Sequence, residues 1–317
     1  MSKVMDLVHR ILKIKFRYIK LLGKLKQLAE KNQLLFEQNR LLKEQNVFVL
    51  YQLQRINEMM RYQLLGDAAL AMDEMHQTCS SFDYQWHELP RGVAMPDDEK
   101  FMHEITSLIC QMTALPADWF PGKQVIDVGC GAGRFTYALL SLGACVTSCD
   151  QSSWALQRTA ELCQKFGQRF SAQPIDLLAW TQEAAYDLAF CFGVVHHTGN
   201  TYLAIRNVAR KVKSGGRLFL MVYGFPEAFD DLDSFAEINT YESFRYNLRH
   251  ASFEEKKNML VEKYGDYLGH SWFDAISPQI NDLLNFSELY ELLQRLGFQN
   301  IERTRDNRNH HVVADKI

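Results

Sequence analysis

The run VIDVGCGAGR, residues 125–134, is the stretch that decides the fold. An apolar, β-type run ends in the pattern Asp-x-Gly-x-Gly-x-Gly at residues 127–133, and a helical pattern follows from Phe135 to Leu142. In a strand–turn–helix unit, such glycines permit positive φ angles and let the backbone approach a ligand closely. The run therefore predicts a ligand-binding loop between a first strand and a helix.

The next predicted strand supplies an acid at its end. Residues 145–150 read CVTSCD, and Asp150 follows Gly133 by 17 residues. A carboxylate in this place can accept hydrogen bonds from both hydroxyls of a ribose. Dinucleotide sites use similar geometry but need G-x-G-x-x-G for a pyrophosphate, whereas this loop is G-x-G-x-G with Asp127 two residues before its first glycine. That carboxylate would repel a pyrophosphate and suits a cofactor with a cationic amino-acid end.

Together these residues resemble the class I S-adenosylmethionine-dependent methyltransferases, over about residues 120–317. The resemblance implies S-adenosyl-L-methionine as the cofactor, with its methionine end at the glycine loop, its ribose at Asp150 and its adenine beside Gln151 and Asp176. For Asp176 alone, a surface cap is an equally good interpretation. The candidate cofactor-binding residues are Asp127, Gly129, Cys130, Gly131, Gly133, Asp150, Gln151, Asp176, Leu177, Phe192 and Gly193.

Strand and helix patterns alternate through the rest of this region, which predicts an α/β fold with a mostly parallel, doubly wound sheet. The resemblance implies a Rossmann-like sheet of seven strands with a reversed edge strand. Residues 224–285 are too many for a plain connection, so we expect a helical lid over the substrate pocket. The other predicted elements are strands at 186–192, 216–223, 298–304 and 311–314 and helices at 97–114, 201–212 and 286–296.

The fourth predicted strand leads into GVVHHT, residues 193–198. Related enzymes that methylate planar amines commonly have an Asn/Asp-Pro-Pro-Tyr loop here, whereas paired histidines resemble several sugar and small-molecule O-methyltransferases. His196 or His197 is a candidate general base, because the ordinary histidine pKa of ~6.5 lies near working pH. A histidine that caps the following helix or bonds the backbone is the alternative. Adjacent residues on an extended strand point to opposite faces, which argues against a shared metal.

Two aromatic segments, FDYQWH at residues 82–87 and HSWFDAISP at residues 270–278, resemble parts of bacterial methyltransferases associated with surface-glycan gene clusters. The resemblance implies a cover on the substrate side, although aromatic packing between lid and body explains either segment equally well. We expect a sugar, a glycan or another small hydroxylated molecule as the acceptor. The candidate substrate contacts are Tyr84, Trp86, Tyr223 and His270.

Residues 1–65 differ from the rest in charge and periodicity. They carry 13 Lys and Arg against 5 Asp and Glu, whereas the remainder carries 22 against 33. Apolar residues recur every 3.5 positions from Val4 to Met60, with Asn32, Asn39 and Asn46 at a positions, which predicts a parallel coiled coil, most simply a dimer. Apolar residues at the e positions also admit larger bundles. The alternative is one long helix that packs against the rest of the same chain. The basic face predicts contact with solvent, an acidic partner or an anionic membrane surface.

The composition is that of a packed protein, with 47% hydrophobic and 23% charged residues. We expect a coiled-coil helix at residues 1–65, a bridging helical and aromatic cap at 66–119 and the methyltransferase domain at 120–317. No run of ~18 apolar residues predicts a membrane span, and the odd, unpaired cysteines favour a reducing cytoplasm, with the basic helix peripheral at the inner membrane. The acidic body and the continuous seam argue against nucleic-acid binding. A non-catalytic scaffold that retains the fold is the alternative function.

Overall fold

The computed structural model describes short stretches between residues 24 and 38, and residues 68–88, 98–181, 183, 186–228 and 231–317. The chain divides into two compact units, Met1–Met60 and Arg61–Ile317. In the first unit the described residues are helical and exposed, Leu28 and Leu35 among them. The rest of the predicted coiled coil over residues 1–65, with its oligomeric state, lies outside the described residues.

The second unit is built on one sheet, whose described strands are β1 (Gln124–Val128), β2 (Cys145–Asp150), β3 (Phe170–Pro174), β4 (Tyr186–Phe192), β5 (Val212–Val222), β6 (Phe298–Arg303) and β7 (His310–Lys316). Their order across the sheet is β3-β2-β1-β4-β5-β7-β6. The first five strands pair in parallel, whereas β7 is antiparallel to both β5 and β6. The predicted seven-stranded, doubly wound sheet with one reversed strand is therefore confirmed, and the reversed strand β7 lies next to the edge strand β6.

The helices are α1 (Ala68–Glu88), α2 (Glu99–Thr113), α3 (Arg134–Ser141), α4 (Ser153–Cys163), α5 (Thr201–Ala209), α6 (Leu232–Asn247), α7 (Phe253–Ile276) and α8 (Phe286–Arg295). Helix α2 begins after Asp98, whose side chain caps it by accepting a hydrogen bond from the Phe101 N–H. Helix α5 is shorter and β5 longer than predicted, because the Lys211 N–H bonds to the Val208 carbonyl and the chain then turns directly into the strand.

Alternate residues of the central strands enter two different apolar layers, because successive side chains of a strand point to opposite faces. Ile126 and Val128 belong to a layer that includes residues of α5 and α8. Val125 and Phe190 belong to the other layer, which includes residues of α2 and α3. The sheet thus lies between two helical layers, and its carboxyl-terminal edge stays available for a ligand.

The insertion between β5 and α8 is helical, as predicted for residues 224–285. Helix α7 begins with a capping box, in which the Ser252 side chain accepts from the Glu255 N–H and the Glu255 carboxylate accepts from the Ser252 N–H. Gly265 interrupts α7 with a non-helical conformation. Leu260 and Phe273 are fully buried between the lid helices. Within the described part of the chain, no helix has the length and apolar character needed to cross a membrane.

Helix α1 is one continuous helix that includes the aromatic segment 82–87. Its aromatic side chains separate onto two faces. Phe82 and Trp86, four residues apart, line a cavity above the sheet, whereas Tyr84 packs against Phe253 and Phe273 of the lid. The segment is therefore a bridge between the lid and the sheet.

Candidate functional site

The glycine loop after β1 has backbone angles that favour glycine. Gly129 and Gly131 have φ angles of 73° and 52°. A Cβ at Gly129 would lie 2.2 Å from Val194 Cγ2, and a Cβ at Gly131 would lie 2.7 Å from the indole ring of Trp86. Larger residues at these positions would be strained and would displace their neighbours. The loop is therefore packed closely between Val194, which lies just after β4, and helix α1.

Asp150 joins the end of β2 to this loop. Its Oδ2 accepts a hydrogen bond of 2.9 Å from the Gly131 N–H, and its Oδ1 accepts one of 2.9 Å from the Ser152 N–H. Burial raises the pKa of this carboxyl, and the backbone hydrogen bonds oppose that effect. Each carboxylate oxygen has a further lone pair, so the group can still accept from a ligand. Asp150 lines the cavity, as the ribose assignment requires.

Asp127 lies below the loop rather than at the cavity wall. It is 2% exposed, and its Oδ2 accepts a 2.6 Å hydrogen bond from the Thr136 hydroxyl. Burial raises its pKa to about 7, although the bond from Thr136 acts in the other direction. Neither Asp127 nor Gly133 is among the residues that line the cavity. Their direct contact with a cofactor therefore stays a prediction, and in this structure Asp127 supports the loop from beneath.

A cavity of about 440 Å³ opens at the carboxyl-terminal edge of β1, β2 and β4. It brings together most of the predicted cofactor-binding residues. Those that line it are Gly129, Cys130, Gly131, Asp150, Gln151, Asp176, Leu177, Phe192 and Gly193. Residues far apart in sequence therefore meet in one place, as the topology of a parallel sheet predicts.

Asp176 has the predicted role of a cap, and its contact with the adenine stays a prediction. Its Oδ1 accepts hydrogen bonds from the N–H groups of Leu178 and Ala179, at 2.9 and 3.4 Å, so it caps the following turn. The residue is exposed and also lines the cavity. The local cap leaves a second carboxylate oxygen that a ligand can use.

Helix α1 forms one wall of the cavity, of which the sequence predicted only the part within the aromatic segment 82–87. The residues of α1 that line the cavity are Met75, His76, Thr78, Cys79, Phe82, Asp83 and Trp86. Most of them recur at steps of three and four, which is the spacing of one helical face. This spacing is the signal in the sequence that could have identified the whole wall.

Asp83 is the most informative residue of this wall. Its Oδ1 is buried and has no hydrogen-bond partner among the described residues. After burial, the charge of this carboxylate also raises the pKa of Asp150, so the two acids that line the cavity repel each other. A buried acceptor without a donor is costly. A cationic or hydrogen-bond-donating ligand fits these two carboxylates better than an anion does.

The histidines of residues 193–198 lie in a 3₁₀ turn, Val195–His197, and not on an extended strand. The prediction that the two adjacent histidines point to opposite faces of a strand was therefore wrong. The two rings are neighbours, with centroids 4.1 Å apart. Among the described residues, no group of three or more His, Cys, Asp or Glu is arranged to hold a metal ion.

The environments of the two histidines differ. His196 is 0% exposed, packs against Tyr223 with ring centroids 4.1 Å apart and does not line the cavity. Neither of its ring nitrogens has a hydrogen-bond partner among the described residues. Burial lowers its pKa well below the ordinary value. His196 is thus a neutral ring in an aromatic stack, without access to a substrate in this cavity.

His197 lines the cavity and has a defined tautomer. Its Nδ1 lies 2.8 Å from the Ile280 carbonyl oxygen. Since a carbonyl oxygen only accepts, Nδ1 must carry the hydrogen, and Nε2 of the neutral ring is then free of a proton. Burial lowers the pKa of His197 to about 4, against the opposing effect of the bond to Ile280. Of the two histidines only His197 lines the cavity, so its role as a base stays a prediction, whereas His196 does not meet the requirement of access.

The four candidate substrate contacts do not share one environment. Trp86 and Tyr223 line the cavity, and burial raises the pKa of the Tyr223 hydroxyl. Tyr84 contacts the lid instead. His270 lies in α7, but its side chain is outside the described part of the structure.

Comparisons with known proteins agree with this geometry. Residues 126–218 match the family model of a methyltransferase domain. This match covers the glycine loop, the end of β2 and the histidine turn. The resemblance drawn from the sequence is therefore confirmed for this part of the chain.

Curated relatives match over part of this chain. A ubiquinone biosynthesis O-methyltransferase of Idiomarina loihiensis is 30% identical over 127 residues, which are 39% of this chain and 52% of that protein. One from Coxiella burnetii is 35% identical over 102 residues, which are 31% of this chain and 42% of that protein. The chain thus spans about half the length of the curated relatives it matches.

Solved structures give a distant match to the overall fold. The magnesium protoporphyrin IX methyltransferase of Synechocystis, solved with bound SAH, is 17% identical. The match has a TM-score of 0.48 and covers 79% of this chain and all of that one.

Proposed function

We propose that this chain is an S-adenosylmethionine-dependent O-methyltransferase that acts on a hydroxyl of a small molecule. The observation that carries the proposal is a single cavity that joins the glycine loop, Asp150 and His197. The match of residues 126–218 to a methyltransferase domain supports it. S-adenosylmethionine supplies an electrophilic methyl group when it is bound.

The residues present fit this cofactor. Gly129 and Gly131 line the cavity, and Asp150 has free lone pairs for ribose hydroxyls. Gln151 and Asp176 would lie beside the adenine. Asp83, with its unpaired buried oxygen, would face the cationic part of the molecule. The acidic cavity would favour a cationic cofactor and disfavour a diphosphate.

His197 performs the proton transfer in this proposal. Its Nε2 accepts the proton of the acceptor hydroxyl, while Nδ1–H stays bonded to the Ile280 carbonyl. That bond stabilises the imidazolium as it forms, because hydrogen bonds to charged groups are stronger than neutral ones. The pKa of about 4 keeps the ring neutral at working pH, so the base form is available, although the ring is a weaker base than the ordinary pKa of ~6.5 would give. Phe82, 4.9 Å from the His197 ring, helps to exclude water from it.

The acceptor is a sugar, a glycan or another small hydroxylated molecule. The relatives are named as ubiquinone biosynthesis O-methyltransferases, which favours a small hydroxylated acceptor. Phe82, Trp86 and Tyr223 give the cavity aromatic surfaces on which a sugar face or an aromatic ring could pack. The identity of the acceptor depends on these walls and not on the fold.

We expect S-adenosylmethionine to bind the purified protein in isothermal titration calorimetry. With labelled cofactor, we then expect methyl transfer to one member of a panel of hydroxylated sugars, nucleotide sugars, glycans and phenols. Absence of binding at millimolar cofactor would contradict the proposal and favour a non-catalytic scaffold.

For residues 1–65 we propose self-association through a parallel coiled coil. The 3.5-residue repeat supports this role, as does the exposure of the helical residues Leu28 and Leu35. Its basic face would contact an acidic partner or an anionic membrane surface, with the protein otherwise in the cytoplasm. We propose no nucleic-acid partner, because the remainder of the chain is acidic.

A further inference from the structure

We propose that Thr78 of helix α1 is a positioning residue for His197 and acts through the backbone of Ile280. The inference rests on the proposed function of His197 as the base. Thr78 lies outside the predicted methyltransferase domain, and in this inference it helps to set the tautomer of His197.

Two hydrogen bonds converge on Ile280. The Ile280 N–H donates to Thr78 Oγ1 at 3.1 Å, and the Ile280 carbonyl accepts from His197 Nδ1 at 2.8 Å. Thr78 is 2% exposed, so water does not replace it easily. The two backbone groups flank the same α carbon. Fixing the N–H therefore restricts the direction in which the carbonyl points.

The segment that carries Ile280 needs this support. Residues 277–280 form neither helix nor strand, so no regular pattern of backbone bonds fixes their position. Helix α1 holds this segment with further bonds. The Gln77 amide donates to the Ser277 carbonyl and accepts from the Gln279 N–H, both at 2.9 Å, and Ser81 Oγ donates to Ser277 Oγ at 2.8 Å.

Thr78 differs from these neighbours because its bond is at Ile280 itself. Arg245 of the lid also holds the segment, by donating to the Ala275 and Gln279 carbonyls at 3.1 and 2.7 Å. These contacts keep the segment folded when one bond is lost. Removal of the Thr78 hydroxyl should therefore alter the Ile280 carbonyl more than the fold.

The groups around His197 explain why its tautomer matters. The charge of Arg245 and the burial of the ring both disfavour its protonated form. The ring centroids of His196 and Tyr223 lie 4.1 and 5.6 Å from that of His197. Asp83 and Asp274 line the same cavity. If Nδ1 loses its carbonyl acceptor, the proton can move to Nε2. A neutral ring that carries its hydrogen on Nε2 cannot take up the proton of the substrate hydroxyl at that atom.

The test compares Thr78→Val with Thr78→Ser. Valine keeps the shape but removes the oxygen that accepts from Ile280, whereas serine keeps that oxygen. Thr113→Val is the matched control, because Thr113 is a buried threonine that bonds within α2 and does not line the cavity.

The first measurement uses the protein without cofactor. Long-range ¹H–¹⁵N spectra report the tautomer of His197, assigned with His197→Gln. We expect the Nδ1–H form in the wild type, Thr78→Ser and Thr113→Val, and a substantial Nε2–H population in Thr78→Val. An unchanged tautomer in Thr78→Val would overturn the inference, whether or not the protein is an enzyme.

The second measurement uses turnover. We expect kcat to fall about tenfold in Thr78→Val, with cofactor affinity within about twofold of wild type and recovery in Thr78→Ser. A tautomer change in a protein that transfers no methyl group would contradict the proposed function but leave the positioning intact. Should Thr78→Val fail to fold, Thr78→Ala removes the same oxygen with less crowding, and the same two outcomes apply.

Discussion

The two sides of the cavity are built in different ways. On the sheet side, the glycine loop and Asp150 follow directly from the strands that precede them, and the Asp150–Gly131 bond joins residues only 19 apart. On the cover side, α1 meets residues 277–280 through bonds that span about 200 residues of sequence. The glycine-loop side is therefore a local property of the fold, whereas the position of His197, the proposed base, depends on contacts between distant segments.

The largest expected effect separates His197 from His196. We expect His197→Gln to lower kcat by ~10²- to 10⁴-fold, because it removes the base, with little change in cofactor affinity. His196→Phe is the matched control, since phenylalanine can keep the aromatic stack with Tyr223. Turnover measurements that show equal losses in both variants would contradict the assignment of the base.

The pH dependence sharpens this prediction. His197 is the base in its neutral form, and its pKa is lowered to about 4. Activity limited by this group should be level from pH 8 to about pH 5 and fall as pH approaches 4, without a step near ~6.5. The same depressed pKa means that His197 contributes stability that is lost as pH falls from ~6.5 towards 4, because the unfolded chain binds the proton first.

An intermediate effect tests the sheet side. In Asp150→Asn the side-chain amide can no longer accept from both the Gly131 and Ser152 N–H groups, so the loop loses a charged support. We expect cofactor affinity to fall about 10- to 100-fold in calorimetry, since hydrogen bonds to charged groups contribute ~1.5–3 kcal/mol.

Asp187→Asn is the control for this variant. Asp187 accepts from the Gln124 N–H and pairs with Lys213 near the amino-terminal end of the strands, and it does not line the cavity. Comparable loss of affinity in both variants would show that the effect of Asp150→Asn is general destabilisation.

The smallest effect on the cavity is expected from deletion of residues 1–65. Helix α1 begins at Ala68 and has its own bonds to residues 277–280, so cofactor affinity should stay within about twofold. The coiled-coil proposal requires a lower mass in light scattering. An unchanged mass would contradict self-association through this segment. A large loss of cofactor affinity would show that α1 needs residues 1–65 to keep its position at the cavity.

Most of the sheet side was predictable from the sequence. The bounds of β2 agree with the structure, and the residues at the ends of β1, β2 and β4 meet as expected. The buried position of Asp127 was not predictable, because its spacing from the glycines does not show whether the carboxylate points up to a ligand or down to Thr136.

The cover side shows what the sequence could not supply. The pattern of residues 193–198 identified a histidine pair but not that one ring is enclosed in an aromatic stack and the other bonded to a carbonyl 83 residues away. The spacing of residues 75–86 carried a helical period, yet nothing local tells which face of a helix meets a cavity.

The sequence by itself determined the order of strands and helices, the glycine loop and the acid at the end of β2, because these depend on short-range periodicity and backbone conformation. Only the tertiary structure decided which histidine can act and which wall closes the cavity. Those outcomes depend on packing and hydrogen bonds between segments whose separation in sequence carries no information about their distance in space.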